Sequence, residues 1–352
     1  MNDNRILYLD VARILAVASM VMLHAGSGTW MRLPVTSSGW QASNVYESMV
    51  RWCVPLFVMI SGALFLRPDK DISLKRLYGK NVLRIVTAFV FWSVTYAVFT
   101  TWGPIQLSRP VSGVGAFIAE CVRGHYHMWF LYMIAGLYMI VPFLKKITAD
   151  KKLTEYFLLL AFVFAIVIPS LSAIPALADS LAVVAATKLN LHFVMGYSFY
   201  FVGGYYLHQN ALSRRTKVGL YLLGAAGVLF TWFITNHLSV REGAAVTRWL
   251  EFLCPQTAMT TLAIFVLLRN TVSNIRFRDT TVRRILTVSK YSFGVYLVHV
   301  FFLYIADRID HAATRDIHPA VTIPLYTVFV LACSYAASAV LHRIPVLNRF
   351  IV

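Results

Sequence analysis

The chain has 352 residues, 59% of them hydrophobic and only 13% charged, against about 25% charged in a typical soluble domain. With a mean hydropathy of +0.66, this excludes a soluble globular enzyme and leaves an all-α, polytopic transmembrane helical bundle. The formal net charge of +17 is read as topological rather than as a nucleic-acid footprint, because basic loops are retained in the cytoplasm.

The first apolar segment, residues 7–26, is long enough to cross a bilayer, yet it carries Asp10, Arg13 and His24. A charged side chain near the middle of a lipid-facing helix costs roughly 2.5–3.5 kcal/mol, so their presence points to a protein-facing use. Eleven residues turn a helix by about 1100°, three turns and about 20° more. Arg13 and His24 therefore share one face, roughly 16 Å apart along the axis, with Asp10 close to the same stripe. These residues, and the lack of a small-x-small cleavage site, favour a retained helix over a signal peptide.

Nine further spans are expected at about 46–66, 82–102, 126–144, 154–174, 189–208, 217–237, 251–268, 285–306 and 320–341. Of the 32 Lys and Arg, twenty fall at the N-terminus and in the even-numbered connections, eight in the odd-numbered ones, and Arg13, Arg51, Arg84 and Lys290 within spans. The bias alternates at every pair of loops, which predicts both termini in the cytoplasm. Residues 111–123 and 176–187 are apolar enough to lie along the membrane interface. Trp30, Trp40, Trp102, Trp129 and Trp249 suit aromatic belts. Glycines 136, 196, 203, 204, 224 and 227 suit close helix packing. The chain is expected to form one integral-membrane domain over residues 1–352 with no fused soluble domain.

Candidate chemistry gathers at two levels. Near the predicted external level lie His24, His127, His192 and His299, and Ser292, Tyr296 and His299 follow at i, i+4 and i+7 on one helical face. On the cytoplasmic side Arg84 starts the third span, and Lys290 can snorkel there. Glu47 and Arg51 are spaced for an ion pair, which is either structural or functional. His125 and His192 also suit plain interfacial residues, and Arg84 and Lys290 plain helix-end anchors. A neutral imidazole with an ordinary pKa of roughly 6.5 can take a proton from a hydroxyl or accept an acyl group. A buried guanidinium suits a phosphate or a developing oxyanion. A metal site is not expected: no HxxxH or HExxH pair is present, and Cys53, Cys121, Cys254 and Cys333 are isolated from one another.

The ordered blocks DVARILAVASMVMLH (Asp10, Arg13, His24), RWCVPLFVMISGALFL (Arg51, Pro55, Ser61, Gly62), KNVLRI (Lys80, Arg84), HMWFL (His127, Trp129) and YSFGVYLVH (Tyr291, Tyr296, His299) resemble acyltransferase family 3. These are bacterial integral-membrane sugar O-acyltransferases, and the likeness is to the short branch of the enterobacterial common antigen O-acetyltransferase. The resemblance implies ten helices in the bacterial inner membrane. It also implies transfer of an acetyl group from acetyl-CoA, a substrate rather than a bound cofactor, to a sugar hydroxyl of a cell-surface polysaccharide or lipid-linked glycan. His24 would be general base or transient acyl carrier, and Arg13 would position the donor or stabilise charge. Lys75, Arg76, Lys80 and Arg84 would hold the donor phosphates. Asp10, Arg51, Ser61, His127, Trp129, Tyr296 and His299 would support the site. Val11 and Ile14 replace the family's usual small residue and glycine, and Lys80 replaces the first of its paired arginines. A glycan transporter or flippase, or a non-catalytic subunit of a polysaccharide export assembly, is the alternative reading. Neither an internal repeat nor matched broken helices support a transporter.

Overall fold

The computed structural model describes residues 6–70, 73–102, 113–189, 191–309 and 317–351, and among these the regular structure is helical throughout. Arg5, Arg109 and Arg315, which entered the charge alternation, and the first two residues of the 111–123 stretch lie outside the described residues. The elements are α1 (Leu7–Arg32), α2 (Ser38–Val50), α3 (Cys53–Phe65), α4 (Leu74–Trp102), α5 (Val114–Arg123), α6 (Trp129–Met139), α7 (Val141–Thr148), α8 (Lys151–Ser172), α9 (Leu181–Lys188), α10 (Ser198–Gln209), α11 (Arg214–Glu242), α12 (Pro255–Ser273), α13 (Asp279–Ile309), α14 (Pro319–Leu341) and α15 (Pro345–Phe350).

Among the described residues seven stretches are long and apolar enough to cross a membrane, or eight if the bent pair α6–α7 is one span. Each of the ten expected segments contains a helix, although in the one expected at 189–208 the α-helix begins only at Ser198. Of the remaining two, α10 has only 12 residues and α12 has 19 but falls short of the apolarity. The second span begins earlier than expected, at Ser38, and runs to Phe65 with a break at Arg51–Trp52. Pro55 explains the break, because its ring clashes with the carbonyl four residues back, at Arg51. The α6–α7 bend of 56° falls just before Pro142 for the same reason. Side-chain caps start α2 (Ser37 accepts from the Trp40 N–H, 3.2 Å), α8 (Asp150 from Leu153, 2.7 Å) and α11 (Ser213 from Thr216, 3.1 Å), each worth about 1 kcal/mol.

α1 is the central post, packed against α2, α3, α12, α13 and α14. Lipid tails are as apolar as leucine, so helix association depends on close contact rather than on a hydrophobic drive. At the α3–α10 crossing a Cβ on Gly62 would collide with the Phe201 backbone, and one on Gly204 with that of Met59. Between α11 and α12 a Cβ on Gly224 would collide with the Ala263 Cβ and one on Gly227 with the Gln256 carbonyl, and the Thr260 hydroxyl donates to the Gly224 carbonyl at 2.9 Å. Gly136 faces open space, and Gly196 serves instead as a turn residue with φ of 69°. Trp30 and Trp40 are not interfacial. They stack at 5.7 Å, are 2% and 0% exposed, and form a small core with Val35 and Leu250 where the α1–α2 connection folds back.

Candidate active site

A cavity of about 750 Å³ follows the α1 axis and is lined by Arg13 near one end and His24 near the other, three helical turns apart. The face predicted from spacing is therefore a cavity face.

At the Arg13 end, the guanidinium donates from Nη1 to Asp10 Oδ1 (3.2 Å) and to Ser289 Oγ of α13 (3.0 Å), while Ser289 donates to Asp10 (2.5 Å). Asp10 is buried behind Arg13 and does not line the cavity. The triangle compensates the buried carboxylate and fixes the arginine's direction. Lys80 and Arg84 of α4 line the same end, Lys80 within a π-helical stretch at Leu77–Val82, a local widening often found at functional sites. The Arg84 guanidinium lies over the Phe293 ring at 5.6 Å. Lys75 and Arg76 sit on the exposed first turn of α4 and do not reach the lining. Lys290, His342 and Asn348 complete this end; of these, the sequence offers Lys290, as a candidate or as a plain anchor, and gives no signal for the other two. Ser61 lines the middle from α3.

At the His24 end, His24 meets His299 of α13 (ring centroids 5.2 Å) and Tyr126 (5.4 Å). His299 is fully buried behind the wall, and its Nδ1–H donates to the Tyr296 carbonyl at 2.7 Å. That bond leaves Nε2 as an acceptor, and it has no hydrogen-bond partner among the described residues. Tyr296 lines the cavity and donates from its hydroxyl to the His127 carbonyl at 3.0 Å. His127 lines the cavity too, with Nε2 buried and without a hydrogen-bond partner among the described residues. Its Nδ1 lies 3.0 Å from His125 Nδ1, and His125 Nε2 lies 2.8 Å from the Tyr304 hydroxyl. Burial pushes the His125 imidazole down to about 4, so it stays neutral and relays direction rather than charge. His125 was read as interfacial and Tyr304 was missed, because their partners lie far away in sequence. Among the described residues no three His, Cys, Asp or Glu side chains gather to hold a metal ion.

Trp129 and Phe252 form an aromatic wall, with rings 6.0 Å apart and tilted by 22°. The Arg51 guanidinium lies 6.0 Å from the Phe252 ring, and Arg51 pairs with Glu47. His192 is exposed and does not join the lining.

The arrangement joins cations at one end of a passage to imidazoles, a guanidinium and aromatic faces at the other. Such a passage suits a long anionic donor whose reactive group must meet an acceptor at the imidazole end. The match to a family model described as an acyltransferase domain covers residues 6–339. No curated protein and no solved structure matches the chain. Since the family match runs from the first turn of α1 into α14 and takes in both Arg13 and His24, the chain belongs to acyltransferase family 3, whose members are membrane acyltransferases.

Proposed function

We propose that the protein transfers an acetyl group from acetyl-CoA to a sugar hydroxyl of a cell-surface polysaccharide or a lipid-linked glycan, in the bacterial inner membrane, with both termini in the cytoplasm. The observation that carries the reading is one continuous cavity lined by both the Arg13 cluster and the His24 cluster. Acetyl-CoA is a substrate here, not a resident cofactor. Lys80, Arg84 and Lys290 hold its phosphates as fixed positive charges, and Lys75 and Arg76 on the adjoining exposed turn attract it. Arg13, steered by Asp10 and Ser289, sets the start of the pantetheine arm. The extended arm then bridges the roughly 16 Å to His24, so the thioester and the acceptor meet without moving the acetyl group between carriers.

His24 takes the proton of the attacking hydroxyl. The Trp129–Phe252 wall offers flat apolar faces to a sugar ring, as aromatic rings commonly do for apolar faces of ligands. His127 and Tyr296 shape the acceptor site, and His299 packs His24 from behind.

The test uses purified protein in nanodiscs with labelled acetyl-CoA and glycan acceptor. Wild type forms an acetyl ester, and His24→Ala lowers kcat by about 100-fold or more at unchanged expression. A transporter or flippase would form no ester, and a His24→Ala variant of normal activity removes His24 from the chemistry. Mass spectrometry of surface glycans from cells with and without the gene identifies the acceptor.

A further inference from the structure

Acyl transfer by the reading above places negative charge on the thioester carbonyl oxygen, and a donor group must stand within about 2.7–3.1 Å of that oxygen. Arg13 cannot supply it where His24 acts, since the two are separated by roughly 16 Å along α1. Another arginine lines the cavity at the His24 end. Arg51 occupies the break between α2 and α3 that Pro55 enforces. We propose that Arg51 is a catalytic residue, its guanidinium stabilising the tetrahedral oxyanion that forms beside His24.

Three observations support the assignment. The Arg51 Nη2 donates to Glu47 one turn earlier, and Glu47 is 1% exposed. The other carboxylate oxygen of Glu47 accepts the Ser27 hydroxyl at 2.8 Å. Ser27 follows His24 by three residues on α1, so the helix that carries the base also fixes the carboxylate that aims the arginine. Finally, the Arg51 Nε is buried and has no hydrogen-bond partner among the described residues, which leaves donor capacity unused in the resting protein. A buried ion pair adds little stability over a neutral packed pair, so stability alone is a poor reason to keep this one beside a cavity.

The step balances with the residues in place. The acceptor hydroxyl oxygen attacks the thioester carbon, and its proton passes to His24. The carbonyl π pair moves onto oxygen, where Arg51 N–H groups meet it. Collapse re-forms the carbonyl and breaks the C–S bond, and the departing thiolate takes the proton from His24, leaving acetyl ester and CoA thiol.

The deciding variant is the double substitution Glu47→Gln with Arg51→Gln, which removes both charges and keeps a side-chain pair. In nanodiscs its affinity for CoA should stay within about twofold of wild type while kcat falls by about 100-fold. A double variant with wild-type kcat shows the pair to be structural and overturns the proposal. If the double variant fails to fold, Arg51→Lys decides: the charge remains and the planar fork is lost. A kcat lowered about tenfold at unchanged KM then supports the role, and an unchanged kcat overturns it. Wild-type protein that transfers no acetyl group overturns the underlying reading and this one with it. An active wild type with an equally active double variant overturns the role of Arg51 alone.

Discussion

Arg13 and His24 share a helix and a cavity, but their neighbours differ, and their variants should separate kinetically. Arg13 is held by Asp10 and Ser289 at the end lined by Lys80, Arg84 and Lys290, three helical turns from the imidazole to which the proposed reaction assigns the chemistry. Arg13→Gln should therefore raise the KM for acetyl-CoA about tenfold with kcat changed less than about threefold, the pattern of lost uniform binding. The KM should also rise with salt in wild type, and less steeply in the variant, because exposed charge attraction is screened. A fall in kcat at constant KM would instead move Arg13 into the chemistry. This separation was legible from the sequence, since helical periodicity alone places the two residues on one face and three turns apart. The i, i+4 spacing also offered the Glu47–Arg51 pair, but not the partner that ties it to α1, nor the contact of His125 with Tyr304. Arg51 depends on Ser27 through Glu47, and His125 depends on Tyr304, 179 positions away. Such pairings exist only once distant helices have packed.

Hydropathy located a helix in each of the ten expected spans, because a bilayer demands a minimum apolar length and helices satisfy their own backbone. It did not see that α10 is only 12 residues long, or that Trp30 and Trp40 turn inward, since apolarity alone does not say which neighbour receives it. The prolines that break α2–α3 and bend α6–α7 stand openly in the sequence, but only the structure shows that one break sets Arg51 at the cavity. The glycines divide in the same way. Gly62 and Gly204 hold α3 and α10 in backbone contact, and α3 supplies Ser61 to the cavity wall. Gly204→Ala should force the helices apart and destabilise by about 1–3 kcal/mol, with a lowered thermal midpoint in detergent and reduced transfer. Gly136→Ala meets nothing within 4 Å and should be neutral, or stabilising by up to about 1 kcal/mol. Equal behaviour of the two variants would deny that the α3–α10 crossing is set by its glycines.

On the scale of the whole molecule, the cavity gives the bundle two distinct ends. Arg13, Lys80 and Arg84 of α4, Ser289 and Lys290 of α13, and His342 and Asn348 beyond α14 all line one end, so segments near both termini meet on the same side. The opposite end is tied by Arg32 of α1 to Asp307 of α13 (2.8 Å) and by Tyr46 to the Ala320 carbonyl (2.9 Å). The proposed topology, which rests on the alternation of basic loops, puts the Arg13 end in the cytoplasm. Lys152, in the first turn of α8, belongs to that side, because Lys145 of α7 donates to the Lys70 and Arg67 carbonyls just ahead of α4. Ala244, just past α11, belongs to the other, near the Trp30–Trp40 core that also takes in Ala245. In a background with Cys121→Ser and Cys333→Ser, Cys53 and Cys254 remain buried. A membrane-impermeant maleimide added to intact cells should then label Ala244→Cys at once, and Lys152→Cys only after permeabilisation. The reverse pattern would put the cationic end outside the cell. A CoA donor could not reach it there, and the His24 cluster could no longer serve an acceptor at the outer face.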